Sequence, residues 1–451
     1  MLKSFVVALA GVLVFSLAPG QTADNGLEPA QKIYGLSLFW KEVSYNFAYF
    51  DQVPRLDWDK AYREYIPKVL ETKSTFEYYR VLQRFCALLK DGHTNVSMPR
   101  EVWNKSLDRP QVVISDVQRT PIVTNVARGL SDVIPIGSEI VEVDGKSANV
   151  YLREVILSYI SSSTEHILWY EGIVRLLEGT PGSAVAVTVK TPSGERRSAT
   201  LVRNGKTSKE PWLKEQPQYH LSEFKWIDGD VAYVALNSFN DSKIVQEFEA
   251  TLPELYKAKG IIIDLRRNPG GSTGNGTAIL DHFTNIPLSG SAWRTREHRG
   301  SFKAWGRQSA RNGDTTSLNY KYFVGDVWYR SYHDTLYPSQ GKKITVPTVV
   351  LIGYLTGSAA EDFLIYADKV PHFTKVGQPT YGSTGQPLFF DLPGGGSARV
   401  CTKRDTYPDG RDFVGVGVQP DVKAENTVED FIAGRDRMLE IGIEVLKKNM
   451  N

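Results

Sequence analysis

Ser358 lies in the stretch YLTGSAAEDFLIYAD, one turn after the apolar run PTVVLIG at residues 347–353. A strand, a four-residue turn and a helix in that order present one side chain at the edge of a sheet. The unpaired N–H groups of the helix's first turn then point at whatever that side chain attacks. Negative charge is favoured at such an end, so the N–H of Ala359 is suited to bind an oxyanion. The same residues, Ser358-Ala359-Ala360-Glu361, also spell a capping box, which needs no chemistry to explain it.

A second stretch, GIIIDLRRNPGGSTGNGTAIL at residues 260–280, runs from an apolar strand into the adjacent Gly270 and Gly271. Adjacent glycines let the backbone turn its N–H groups inward as an anion nest. A phosphate loop is the competing reading. No GxxxxGK[ST] is present, and Gly274-Asn275-Gly276 does not make a dinucleotide fingerprint. Asp264 and Arg266 are expected to pair internally. A serine hydroxyl needs a base to become a nucleophile. Of seven histidines, His93 stands at an element boundary between Gly92 and Thr94, in LLKDGHTNV. A helix C-terminus nearby is expected to favour its protonated form.

Behind these stretches, residues 28–100 read as helical. Ser74 and Glu77 form a capping box that opens a helix through Lys90. Phe76, Tyr79, Leu82, Phe85, Cys86 and Leu89 fall on one side of it, and Gly92 stops it. Residues 108–203 switch to short strands, with a tight turn at Asp144-Gly145 and a hairpin around Pro192-Ser193-Gly194. Residues 151–177 are a helical insert, and 204–218 a polar linker. The continuous apolar runs at 260–265 and 347–353 suit a sheet covered on both faces. Residues 291–343 are rich in Trp, Tyr, Arg and Gly with little periodicity, and read as an insertion or lid beside the site.

The 451 residues suffice for two or three domains. A net charge of +2 gives no footprint for nucleic acid or an acidic membrane surface. A basic start, an apolar run at 4–17 and small residues before Gln21 form a secretory signal peptide, 1–20. The run is too short to span a bilayer. The chain is therefore expected to be exported, periplasmic or extracellular, with no stable membrane insertion after cleavage. Cys86 and Cys401 could form one disulfide in an exported protein, or be buried, unpaired thiols, the reading favoured slightly. No CxxC, HExxH or acidic calcium loop occurs, so neither metal nor cofactor is expected.

In their order along the chain, DGHT (91–94), the strands of 108–204, DLRRNPGG (264–271) and GSAAE (357–361) resemble the C-terminal processing peptidases, or tail-specific proteases, and their tricorn-core relatives. The resemblance covers nearly all of the mature chain. It implies an α/β (α+β multidomain) fold. A helical region, 21–107, precedes a PDZ-like β domain, 108–204. A peptidase core of ClpP/crotonase-like type follows at 205–451, with the insertion or lid at about 291–343. It also implies an acyl-enzyme on Ser358, an oxyanion hole from Gly270 or Gly271 with Ala359, and a peptide or unfolded protein substrate whose C-terminus the PDZ-like domain presents.

Many members of that family use a serine–lysine dyad with lysine in a TFGKG stretch. Here the matching residues are Thr380-Tyr381-Gly382-Ser383-Thr384, and Ser383 stands in the lysine's place. A histidine base, His93, is the better expectation, as in tricorn-like members. The serine that precedes their histidine is Gly92 here. Glu361, Asp409 and Asp412 are candidate orienting groups, Ser383 an accessory one, and Lys375 or Lys369 the alternative bases. The missing lysine also supports a different class: an inactive PDZ-containing peptide-binding protein, or a carrier of hydrophobic ligands, on the same fold.

Overall fold

The computed structural model describes residues 26–216, 218–227 and 229–450; the signal-peptide reading of 1–20 lies outside them. Three helices, Pro29–Asn46, Trp58–Leu70 and Thr75–Ala87, open the described chain. Ser74 caps the third by accepting from the Glu77 N–H at 3.1 Å. Its apolar face buries Tyr78, Tyr79, Leu82, Phe85 and Cys86, and Phe85 stacks on Trp58 with ring centroids 4.2 Å apart. The helix ends at Ala87 rather than Lys90. Lys90 takes a left-handed φ of 50°, which turns the chain toward the short strand Asn95–Ser97. His93 therefore projects from a loop. That strand pairs antiparallel with Gly396–Cys401, and Asn95 faces Arg399. These helices have no core of their own: their buried residues are continuous with those of the C-terminal half.

A separate core lies within residues 112–201. Five antiparallel strands, Val112–Val117, Thr120–Val126, Glu139–Val143, Ala184–Lys190 and Arg196–Val202, neighbour one another in that order. Asp144 and Gly145 both take positive φ, as a two-residue hairpin turn of this hand requires. The helical insert includes Glu165–Val174 and packs on the first strand of this sheet.

The C-terminal half is built on six strands. Their order is Val422–Lys423, Phe373–Gly377, Thr348–Ile352, Gly260–Asp264, Val231–Leu236 and Ser222–Trp226. All neighbours are parallel except the last pair. Every residue of the three central strands is buried, which explains their unbroken apolar runs. One face packs Ile261, Ile263, Val350 and Ile352 into the main core. The other packs Ile262, Val349 and Leu351 against Met438 and Leu446 of the helix Arg437–Met450.

The insertion is more regular than its composition suggests. It holds the helices Gly300–Arg311 and Leu318–Val324, and a strand, Ala292–Arg296, between Trp328–Ser331 and Lys403–Thr406. Gly306 brings the two helices together, because a Cβ there would overlap the Asn319 carbonyl. Half-exposed aromatic positions hide this periodicity in the sequence. Among the described residues no helix is long and apolar enough to cross a membrane.

Candidate active site

Two strand-to-helix junctions lie side by side at the C-terminal ends of Gly260–Asp264 and Thr348–Ile352. They are tied together: the Gly357 N–H donates to the Asn268 carbonyl at 3.0 Å, and Thr356 Oγ1 donates to the Leu265 carbonyl at 2.8 Å. At the second junction Ser358 precedes the helix Ala359–Ala367 with φ 52° and ψ −121°. For a residue with a Cβ this conformation costs about 1–3 kcal/mol and persists only where surroundings enforce it. Glu361 enforces it from both sides. Its carboxylate accepts from the Ser358 N–H at 3.1 Å, and its own N–H donates to the Ser358 carbonyl at 2.7 Å. The expected capping box is thus present, and the serine hydroxyl also faces another partner.

That partner is His93. Its Nε2 lies 3.2 Å from Ser358 Oγ, and its Nδ1 lies 2.7 Å from Ser383 Oγ. If Nε2 accepts the serine proton, Nδ1 carries the ring hydrogen and donates it to Ser383. Ser383 is fully buried and its N–H donates to Glu361 Oε2 at 3.2 Å. Gly382 N–H and Thr380 Oγ1 donate to the other oxygen. Burial pushes the Glu361 carboxyl up to about 8 against the pull of these donors.

Gly92 explains the residue before the histidine. A Cβ there would lie 2.9 Å from Ser383 Oγ and 2.8 Å from Tyr381 Cε1. The hydroxyl that would precede the histidine is thus supplied from the 380–384 loop instead.

His93 is only 8% exposed. Burial, then the positive charges of Arg399 and Lys403, hold its imidazole down at about 3. The expectation of a protonated ring is therefore corrected. The helix ends six residues earlier, beyond the reach of its end charge, and two cations take its place. A neutral imidazole is the form that can accept a proton.

The glycine junction meets the serine closely. A Cβ on Gly270 would sit 2.7 Å from both Ser358 Cβ and the Ala359 nitrogen. Its φ of 98° and the 136° of Gly271 are conformations that favour glycine. The Gly270 N–H donates to Asn268 Oδ1 at 2.9 Å, so it is not free for an oxyanion. Among the described residues, the N–H groups of Gly271 and Ala359 have no partner within the protein.

Other sequence candidates lie elsewhere. Asp412 is bound by Arg404 at 3.0 Å and Asp409 by Arg411 at 2.7 Å, so neither orients His93; each carboxylate follows a guanidinium nearby in the chain. Lys375 is held between Asp368 and Asp421. Asp264 does pair with Arg266, at 2.6 Å, and the guanidinium continues to Asp436. Cys86 and Cys401 are buried and unpaired. Arg399 and Lys403 were not anticipated. The alternation of buried Ala398 and Val400 with part-exposed Ser397 and Arg399 is the strand signal that could have placed them beside DGHT.

The profile of peptidase family S41 matches residues 230–424. A carboxy-terminal-processing protease of Bartonella bacilliformis is 24% identical over 216 residues, covering 47% of this chain and 42% of that protein. The carboxy-terminal processing protease CtpB of Bacillus subtilis is 22% identical over 280 residues, covering 62% of this chain and 49% of that protein. The chain thus spans less than half the length of these curated relatives. Mature CPAF complexed with lactacystin superposes with a TM-score of 0.70 at 15% identity, covering 94% of this chain and 98% of that one, and shows the same fold. Carboxy-terminal processing proteases of family S41 are serine peptidases. The matched span contains both Gly271 and Ser358, so the segment that carries the two junctions is the one similar to peptidase family S41.

Proposed function

We propose that this chain is an exported serine peptidase that hydrolyses peptide bonds through an acyl-enzyme on Ser358. The observation that carries the reading is the 3.2 Å approach of His93 Nε2 to Ser358 Oγ, with Ser383 on the other ring nitrogen. His93 takes the hydroxyl proton as Oγ attacks the peptide carbonyl carbon. The carbonyl oxygen becomes an oxyanion between the N–H groups of Gly271 and Ala359. His93 returns the proton to the leaving amine, and the C–N bond breaks. Water then attacks the ester with His93 as base again, releasing the acid and restoring Ser358. Ser383 keeps the ring turned for both transfers, and Glu361 holds the Ser383 loop.

The five-stranded module over 108–204 reads as a PDZ-like domain that presents a protein C-terminus by strand addition. A cleft of 620 Å³ lies between the module and the loops next to the site: Tyr159, Ser161 and Arg175 of the module line it together with Gly92, Tyr381 and Arg399. The signal-peptide pattern supports export to the periplasm or outside the cell.

The test is Ser358→Ala with a fluorophosphonate probe. Hydrolysis of an unfolded protein substrate should fall by about 10⁴-fold or more, and labelling should vanish, with the melting transition kept. Hydrolysis that survives the substitution sinks the assignment of the nucleophile. A wild-type chain that neither labels nor cleaves leaves the peptide-binding alternative.

A further inference from the structure

The loop that carries His93 is not held by secondary structure. The helix before it has ended and the strand after it has not begun. Its backbone is fixed instead by two serine hydroxyls from the five-stranded module, about seventy residues away in sequence. Ser161 Oγ donates to the Asp91 carbonyl at 2.8 Å and accepts from the Asp91 N–H at 3.2 Å. Ser163 Oγ donates to Asp91 Oδ1 at 3.0 Å and accepts from the Gly92 N–H at 2.9 Å. Each hydroxyl uses one donor and one acceptor site, so all four bonds coexist. Asp91, whose carboxylate Ser163 engages, is 1% exposed, and the other carboxylate oxygen accepts from Thr94 Oγ1 at 2.6 Å. His93 is thus framed on both sides.

The same segment also reaches the loop that orients the ring. Thr164 Oγ1 donates to the Tyr381 carbonyl at 3.1 Å, and His166 Nε2 lies 2.7 Å from the Thr380 carbonyl. Residues 161–166 therefore tie together the two loops whose side chains meet at His93 Nδ1 and Ser383 Oγ. Ser162 is the exception: its hydroxyl turns back to the Thr164 carbonyl at 2.9 Å and shapes only the segment itself.

We propose that Ser161 and Ser163 are positioning residues for the His93 base, so that the geometry of the base depends on hydroxyls supplied by the five-stranded module. The inference rests on the peptidase reading above. Displacing a reacting group by about 1 Å costs on the order of 100-fold in rate, and these four bonds act on the backbone next to His93 together with the Arg399 guanidinium, which donates to the Gly92 carbonyl at 3.1 Å, and the Thr94 N–H, which donates to the Asp91 carbonyl at 3.4 Å.

The experiment compares Ser161→Ala, Ser163→Ala and their double variant with Ser162→Ala as control, all in the full chain. Peptide hydrolysis, fluorophosphonate labelling, melting and the ring ¹⁵N resonances of His93 are read. The double variant should lose about 10–100-fold in kcat and in labelling rate, with KM within about twofold. Ser163→Thr, which keeps the hydroxyl, should recover most of the loss, and Ser162→Ala should cost about twofold at most. A folded double variant with kcat within about threefold of wild type, or an equal loss in Ser162→Ala, overturns the proposal. If the double variant does not fold, the single variants decide by the same criteria. The resonances separate this inference from the reading beneath it. Even in a chain that never hydrolyses or labels, the single variants should shift the His93 ring from one fixed tautomer to averaged signals. Unchanged resonances overturn the positioning role whatever the activity.

Discussion

The glycine junction after Gly260–Asp264 and the serine junction after Thr348–Ile352 are built alike. Each leaves a fully buried parallel strand, turns in a few residues and enters a helix, and the two strands are direct neighbours with Asp264 beside Leu351. Each turn needs positive φ. The first meets the need with Gly270 and Gly271, which adopt such angles without strain. The second forces Ser358 to 52° and encloses it with Glu361. An oxyanion donor is a backbone N–H, so any residue that fits will serve. A nucleophile is a side chain, so its position must carry a Cβ whatever the conformation costs. Strain therefore falls on the junction that has to present an atom beyond the backbone.

Short of removing the nucleophile itself, the largest effect should come from giving the glycine junction a side chain. In Gly271→Ala the new Cβ would overlap the carbonyl of Phe239 and the N–H of Asn240. Both are backbone, so the turn has to move and carry its N–H away from Ser358. We expect kcat to fall by about 10²–10³-fold, the loss typical of one oxyanion donor, with KM changed far less. A kcat within tenfold of wild type would place the oxyanion elsewhere. A smaller loss should follow at the serine junction from Ser383→Ala, which removes the acceptor for His93 Nδ1–H. We expect kcat to drop about 10–100-fold, well short of Ser358→Ala, because the ring stays in place and loses only its orientation.

These junctions also mark what a sequence discloses. The strand-turn-helix pattern at Ser358 and the paired glycines were legible because they are local: apolar runs, glycines and small residues follow one another within about twenty positions. The resemblance then supplied the order of the parts and the histidine base. What stayed hidden is non-local. Nothing in DGHT says that Ser383 will fill the space beside Gly92, 291 positions later, or that Gly396–Cys401 will bring Arg399 alongside. The Gly270 amide was misjudged for a local reason: the side chain of Asn268, two residues earlier, claims it. Asp412 was put forward on the resemblance of its segment alone, and in the fold its carboxylate binds the guanidinium of Arg404.

A third test asks whether the strain differs between the junctions as claimed. Ser358→Gly abolishes hydrolysis as Ser358→Ala does, but it also relaxes the φ of 52°. We expect it to be about 1 kcal/mol more stable than Ser358→Ala in urea unfolding. Equal midpoints for the two variants, at equal m, would mean that the serine junction is no more strained than its neighbour.

The smallest effect concerns pH, to which the junctions should respond differently. The oxyanion donors of the glycine junction are amides and do not titrate. The serine junction titrates through Glu361, pushed up to about 8, and on its acid side through His93, whose proton affinity burial, Arg399 and Lys403 all lower. The ring loses activity only when it is protonated, so the acid limb of kcat/KM should lie below the ordinary histidine value of 6.5. Lys403→Met removes one of those cations and should move the limb upward, by about half a unit for a charge in this partly screened setting. The neighbouring Asp405 does not complicate the sign. Burial pushes its carboxyl up to about 7 against the pull of the lysine, and removing the lysine pushes it further up, so the more acidic the limb, the closer the variant comes to differing from wild type by one positive charge alone. A limb that stays put or moves down would show that Lys403 does not act on the base, and a limb above 6.5 in the wild type would show that His93 is not held neutral at all.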